Sequence, residues 1–69
     1  MNLNIVKIQA EMKRLGDTHE SLAERMGVHR QAVTYWLGLA KKGDGGFSLK
    51  TVSRFARAFG IDEKDLLVS

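Results

Sequence analysis

The chain has 69 residues, two histidines and no cysteine, and its formal net charge is +3. This length allows one domain, and the lack of cysteine excludes disulfides and thiolate zinc sites. No apolar run approaches the roughly 20 residues of a membrane span, and residues 1–4 do not begin a secretory signal. We therefore expect one cytoplasmic domain, residues 1–69, with no metal, no cofactor, no small-molecule ligand and no membrane partner.

The positive charge is unevenly distributed. Three of the eight acidic residues lie at 62–65, so the rest of the chain carries ten basic residues against five acidic ones. A basic body with an acidic end fits a polyanionic partner approached from one side. Many small soluble proteins are equally basic, however, so charge alone does not decide the partner.

The first segment predicts a helix over about 4–15. Its apolar residues recur three or four apart and form one stripe, which consists of Ile5, Ile8, Met12 and Leu15. Gly16 follows as a natural C-cap because glycine takes a positive φ without a Cβ penalty.

Two short helices follow, separated by a tight junction. Thr18 is the predicted N-cap of a helix over about 18–26, with Ser21 where a capping box prefers Glu or Gln. Its inward face comprises Leu22, Ala23 and Met26. After Gly27 the chain restarts at residue 29 or 30, and the spacing of Val33, Trp36 and Leu37 predicts a third helix reaching at least residue 37.

The remaining chain predicts a loop and two more helices. Residues 38–47 are rich in glycine, and although one further turn of helix is possible at their start, 43–46 must be loop. Ser48 caps a fourth helix that ends at Gly60, and Asp62 caps a short fifth one. The fourth helix has the stripe Leu49, Val52, Phe55, Ala56 and Phe59. The sequence thus predicts a compact all-α fold of five helices.

The second and third helices have the properties of a helix-turn-helix, over about 18–37. This motif joins two short helices through a sharp, glycine-containing turn. Gly27 meets the need for a left-handed residue, and Ala23 allows the helices to approach closely. Val28 and Val33 then close the corner against Leu22.

Residues 18–33, THESLAERMGVHRQAV, resemble the Cro/cI-type helix-turn-helix family of phage repressors and bacterial regulators. The usual pattern of that family is Thr-Gln-x-x-Leu-Ala-x-x-x-Gly-Val-Ser-x-x-x-Ile. The resemblance continues through 48–52 and 58–67 and covers almost the whole chain. It implies a five-helix, lambda-repressor-like DNA-binding domain. The chain departs from the pattern at His19, at His29 and in a longer connection between the third and fourth helices.

The third helix carries the predicted base contacts. With its apolar stripe turned inward, its polar side must face outward, where an α-helix can enter the major groove of DNA. The predicted contacts to bases are His29, Arg30, Gln31, Thr34 and Tyr35.

Phosphate contacts are predicted around this helix. The start of the second helix offers free amide groups and a positive dipole end, and lysines follow the third helix and begin the fourth. The predicted set is Thr18, His19, Lys41, Lys42 and Lys50.

Simpler structural interpretations stand beside these. Trp36 is expected in the core, and the two histidines are equally suited to capping their helices. Cationic residues outside the motif are expected on solvated faces, namely Lys13, Arg14, Arg54 and Arg57. Glu20 and Glu24 form a carboxylate pair without a pocket, and residues 43–46 lack the ending of a phosphate-binding loop. We therefore expect no enzyme.

These observations favour a dimeric repressor that reads a pseudo-palindromic, double-stranded DNA operator. The expected self-association surface is Leu66, Leu67 and Val68, together with residues 38–47. An alternative is an antitoxin or adaptor that binds mainly a protein, for which salt-insensitive binding would be diagnostic. A third is non-specific nucleic-acid binding, which would give equal affinity for random sequences.

Overall fold

The computed structural model describes residues 1–43 and 46–68, and these residues contain four α-helices and one 3-10 turn. In chain order the helices are α1 (Ile5–Leu15), α2 (His19–Met26), α3 (Arg30–Lys41) and α4 (Leu49–Phe59), and the 3-10 turn is Glu63–Leu66. The predicted boundaries of the first four helices agree with these, with α3 taking the extra turn. The predicted short fifth helix with its cap at Asp62 is a single 3-10 turn, after which the chain becomes extended at Leu67, so the predicted count of five α-helices is not confirmed.

The α2 N-terminus is held by a reciprocal capping box. The Thr18 hydroxyl accepts from the Ser21 backbone N–H at 3.1 Å, and the Ser21 hydroxyl accepts from the Thr18 N–H at 2.9 Å. Serine thus does here what Glu or Gln more often does at this position. The cap therefore determines the residue at which α2 begins.

One core lies between the helices and the 3-10 turn. Its fully buried large side chains come from every element, and they are Ile8, Leu22, Val33, Val52, Phe55 and Leu66. Trp36 is half-buried, and its ring meets the Phe55 ring edge-on with centroids 5.9 Å apart. This position agrees with the expected core role of Trp36.

Each of the apolar stripes predicted for α1 and α4 includes one terminal residue that is not buried. Leu15 in the last turn of α1 is 42% exposed, and Leu49 in the first turn of α4 is 53% exposed. On α1 the polar residue Glu11 is buried on the inward face, and its carboxylate accepts a hydrogen bond from the Arg14 guanidinium at 2.9 Å. Arg14 also donates to the Phe59 carbonyl at 3.1 Å, so it is not simply a solvated residue as predicted.

The first residues of the chain run between two other segments. The Asn4 N–H donates to the Leu66 carbonyl at 2.7 Å, the Val68 N–H to the Asn2 carbonyl, and the Phe47 N–H to the Met1 carbonyl. Leu3 and Leu67 form an antiparallel bridge. In an α-helix, the backbone N–H and C=O groups near the end of the chain would bond to each other. Here they bond to the first residues of the chain instead.

Candidate nucleic-acid interface

The turn between α2 and α3 has the predicted geometry. Gly27 has φ 72°, and the Val28 N–H returns to the Ala23 carbonyl at 3.0 Å, which closes the end of α2. Ala23 is buried where the two helices pack. The prediction that Gly27 takes the left-handed conformation is confirmed.

The outward face of α3 carries the side chains predicted to contact bases. Arg30, Gln31, Thr34 and Tyr35 are all exposed, and Tyr35 retains 65% of its accessible surface. These four line a cleft with the first residues of α2, and the complete lining is Thr18, His19, Glu20, Arg30, Gln31, Thr34 and Tyr35. We call this surface the recognition cleft. It brings two of the predicted phosphate contacts beside four of the predicted base contacts.

The two histidines do not cap their helices through their side chains. Thr18 is the N-cap of α2, and the His19 ring instead has its Nδ1 atom 2.9 Å from the Thr34 Oγ1 atom on α3. His29 occupies the N-cap position of α3, but its side chain makes no capping hydrogen bond. The link from His19 to Thr34 was not predicted, because it joins residues fifteen apart in sequence.

An ion pair with a buried carboxylate and a partly exposed guanidinium joins the residue before the N-cap of α2 to the last turn of that helix. Arg25 pairs with both oxygens of Asp17, with Nη2 to Oδ2 at 2.5 Å, and the Asp17 side chain is only 2% exposed. The Arg25 guanidinium and the Ser21 hydroxyl hold the pKa of the Asp17 carboxyl below its usual range, although burial opposes this effect. Arg25 also donates to the Ala58 carbonyl at 3.1 Å, which ties α2 to α4.

A second surface lies between the end of α2 and α4. Its lining is Arg25, Met26, Gly27, Leu49, Lys50, Ser53, Arg54 and Arg57, and we call it the basic groove. It has four cationic side chains and no carboxylate among its lining residues. The spacing of the α4 cations, at 50, 54 and 57, follows the helical repeat and was the signal that could have revealed it.

The other predicted contacts are spread further apart. Lys50 lines the basic groove, whereas Lys41 and Lys42 lie beyond both surfaces. Lys41 is eleven residues from Arg30, which along a helix is about 16 Å. The predicted phosphate contacts therefore do not form one cluster.

The predicted self-association residues are also divided. Leu66 is fully buried within the chain, so its side chain has no surface to offer a second copy, and that assignment is corrected. Leu67 is half-buried and Val68 is 55% exposed. In the connection at 38–47, residues 44 and 45 lie outside the described residues. The loop predicted at 43–46 therefore lies partly outside them as well.

A short α2, a left-handed turn and an α3 with an exposed polar face define a helix-turn-helix domain. The sequence profile of the helix-turn-helix family matches residues 8–66. The chain belongs to this family, in its Cro/cI-type branch, and is a DNA-binding regulator of that type. Comparisons with curated proteins and with solved structures gave no match. Within residues 1–43 and 46–68, the helices are too short and too polar to cross a bilayer.

Proposed function

We propose that the protein is a sequence-specific transcriptional repressor that inserts α3 into the major groove of a pseudo-palindromic operator. The observation that carries this proposal is the exposure of Arg30, Gln31 and Thr34 on one face of α3, beside the α2 N-terminus. The opposite face of α3 is anchored in the core through Val33 and Leu37. The polar face is therefore held outward by packing.

The chemistry of this face matches base edges. Arginine grips guanine O6 and N7 together, glutamine pairs with adenine N6 and N7, and the threonine methyl contacts the thymine methyl. A good bidentate pair discriminates by about 1–3 kcal/mol. Arg30 and Gln31 are adjacent, so we assign them to neighbouring base pairs. His29 and Tyr35 remain proposed contacts at the edges of this set.

Phosphates would hold α3 in register. Thr18 and His19, the proposed contacts here, lie at the positive end of the α2 dipole. The Thr18 and Ser21 N–H groups are taken by the capping box, which leaves the N–H groups of His19 and Glu20 for a phosphate. Lys50 extends the cationic surface on the side of the basic groove, and Lys41 and Lys42 are proposed as outer contacts. Neutralising phosphates releases counterions, so affinity should fall steeply as salt rises.

We further propose that two copies bind the operator, with their α3 helices about 34–36 Å apart, one turn of DNA. The surfaces proposed for this contact are Val68, the exposed part of Leu67 and, within the 38–47 connection, the exposed residues 41–43 and 46, since Leu66, Ala40 and Phe47 are internal. The test is analytical ultracentrifugation with a duplex of one half-site and with a duplex of two. Cooperative binding of two copies to the longer duplex alone supports the dimer.

The specificity proposal is tested by selection from a random duplex library, repeated with Arg30→Ala and Gln31→Ala. We expect the wild-type protein to select one motif, and each variant to lose preference at its own base pair by about 5- to 150-fold. Tyr35→Phe is the matched control on the same face, since it removes one hydroxyl and should leave those two positions intact. Identical motifs from all proteins would refute the base assignments. Equal affinity for all duplexes would refute sequence-specific binding.

A further inference from the structure

The recognition cleft contains one hydrogen bond between two side chains that the proposed function assigns to different tasks. His19 begins α2 and was assigned to phosphate, and Thr34 lies on the exposed face of α3 and was assigned to a base. The His19 Nδ1 and Thr34 Oγ1 atoms are 2.9 Å apart. The state of the imidazole is therefore coupled directly to a hydroxyl that faces the base edges.

The proton of this bond has two possible positions. A hydroxyl has one hydrogen to donate and two lone pairs, and a neutral imidazole has one N–H and one bare nitrogen. When Nδ1 is bare, it accepts the Thr34 hydroxyl proton, and Thr34 then has only lone pairs to offer to DNA. When both ring nitrogens carry protons, Nδ1–H donates to Oγ1, and the hydroxyl proton is free to point away from His19.

A phosphate beside His19 selects between the two neutral forms. An anion accepts a hydrogen bond from Nε2–H, which leaves Nδ1 as the bare nitrogen facing Thr34. Neutral His19 on DNA therefore makes Thr34 an acceptor, suited to the amino groups of cytosine and adenine. Protonated His19 makes Thr34 a donor, suited to guanine N7 and O6 or to thymine O4.

We propose that His19 is a positioning residue that sets the hydrogen-bonding direction of Thr34, so that protonation of His19 changes the base preferred opposite Thr34. This inference rests on the proposed function. The charged groups that share the cleft are Glu20 from α2 and Arg30 from α3, and the Tyr35 phenol is the other titratable group there. Neither Glu20 nor Arg30 takes part in the hydrogen bond between His19 and Thr34.

The experiment is duplex selection at pH 5.5 and at pH 8.0 and constant ionic strength, the range in which histidines ordinarily change charge. For the wild-type protein we expect the preference at one base pair to change by about 3- to 10-fold between the two pH values, as one hydrogen bond is gained or lost. His19→Gln should remove the change with pH, because glutamine does not titrate. Thr34→Val should abolish it at that same base pair, whereas Thr34→Ser should keep it.

His29→Gln is the matched control, because His29 is the other histidine of the chain and makes no side-chain cap. It should retain the shift in preference whatever its effect on overall affinity. A shift at the base pair opposite Thr34 that persists in His19→Gln or in Thr34→Val, or a wild-type preference there that is the same at both pH values, overturns the inference.

A measurement without DNA separates this result from a failure of the proposed function. In ¹⁵N spectra of the free protein, Thr34→Val should change the resonances of the His19 ring nitrogens and leave those of His29 in place. Unchanged His19 resonances overturn the coupling. Spectra that show the coupling, from a protein that selects no motif at either pH, refute the specificity proposal and the inference drawn from it.

Discussion

The recognition cleft and the basic groove both present polar groups to a potential polyanion, but they are built differently. In the cleft, the His19 and Thr34 side chains are hydrogen-bonded to each other beside a capped helix end, and Arg30 and Gln31 lie next to this pair. In the groove, Lys50, Arg54 and Arg57 lie on one face of α4, and their side chains make no hydrogen bond or ion pair with any other described residue.

This difference bears on what each surface can recognise. Directional hydrogen bonds from pre-positioned groups distinguish one base edge from another, whereas mobile cations respond to charge and not to sequence. We therefore expect substitutions in the cleft to change the preferred sequence. Substitutions in the groove should change the salt dependence and leave the sequence preference as it was.

The sharpest test of this comparison, with the largest expected effect, is Arg54→Gln combined with Arg57→Gln. Each phosphate contact contributes about 0.9 to the slope of log affinity against log salt, so losing two contacts lowers the slope by up to about 1.8. When salt is lowered from 1 M to 50 mM, the affinity of the variant should therefore rise by roughly two orders of magnitude less than that of the wild-type protein. The measurement is a salt titration of duplex binding by fluorescence anisotropy.

The matched control for this pair is Lys13→Gln combined with Lys64→Gln. Both lysines are exposed and line neither surface, and the net charge changes by the same amount. An equal change of slope in both double variants would mean that net charge matters and the groove does not. No change in the Arg54 and Arg57 variant would support the prediction from the sequence that these residues are solvated and make no contact with DNA.

A smaller effect is expected for Asp17→Asn, which removes the anion that holds Arg25 at the edge of the groove. Bonds to a charged partner contribute about 1–3 kcal/mol, and since Arg25 keeps 37% of its side chain exposed we expect a loss of about 1–2 kcal/mol. Urea unfolding at pH 7 measures this value. The selected DNA motif should not change, and a changed motif would mean that this ion pair also positions the cleft.

Two ion pairs, Asp17 with Arg25 and Glu11 with Arg14, make the stability of the fold depend on pH. The pKa of Asp17 is lowered in the folded chain by Arg25, and the pKa of Glu11 is lowered by Arg14. A lowered carboxyl pKa stabilises the fold above the unfolded value of about 4, and this contribution is lost as pH falls below it. Asp17→Asn should therefore weaken the loss of stability between pH 5 and pH 2, and an unchanged acid profile would argue against the pair.

The smallest effect is expected at Gly27, which lines the basic groove and turns the chain toward the cleft. A Cβ there meets no atom within 4 Å, so Gly27→Ala should cost only the strain of a positive φ, about 1 kcal/mol. That corresponds to a fall of roughly 4–8 °C in Tm. Gly38→Ala is the control, because Gly38 lies inside α3 with open space around it and should gain stability. A fall in both variants would contradict the argument.

Much of the fold was predictable from local patterns. The cap at Thr18, the turn at Gly27 and the spacing of Val33 and Leu37 placed α2 and α3 and turned the polar face of α3 outward. These features depend on residues three or four apart, where backbone geometry alone decides which side chains share a face. The exposure of Arg30, Gln31, Thr34 and Tyr35 on α3 could for that reason be predicted residue by residue.

Other features depend on contacts between distant parts of the chain. Where a fifth α-helix was expected, the chain forms a single 3-10 turn with Leu66 buried, and Leu67 then pairs with Leu3 at the other end of the chain. The grouping of Arg25 with the cations of α4 and the bond between His19 and Thr34 likewise join different helices. No local period specifies such pairs, because they arise only when packing brings two elements together.

By itself the sequence determined four helices, their caps and the helix-turn-helix family, since each follows from short-range spacing and backbone preference. Only the tertiary structure decided how the ends of the chain pair, which cations lie together beside α2, and which side chain forms a hydrogen bond with the hydroxyl of Thr34. Those outcomes depend on the distances between elements, and such distances are set by the packing of the whole core.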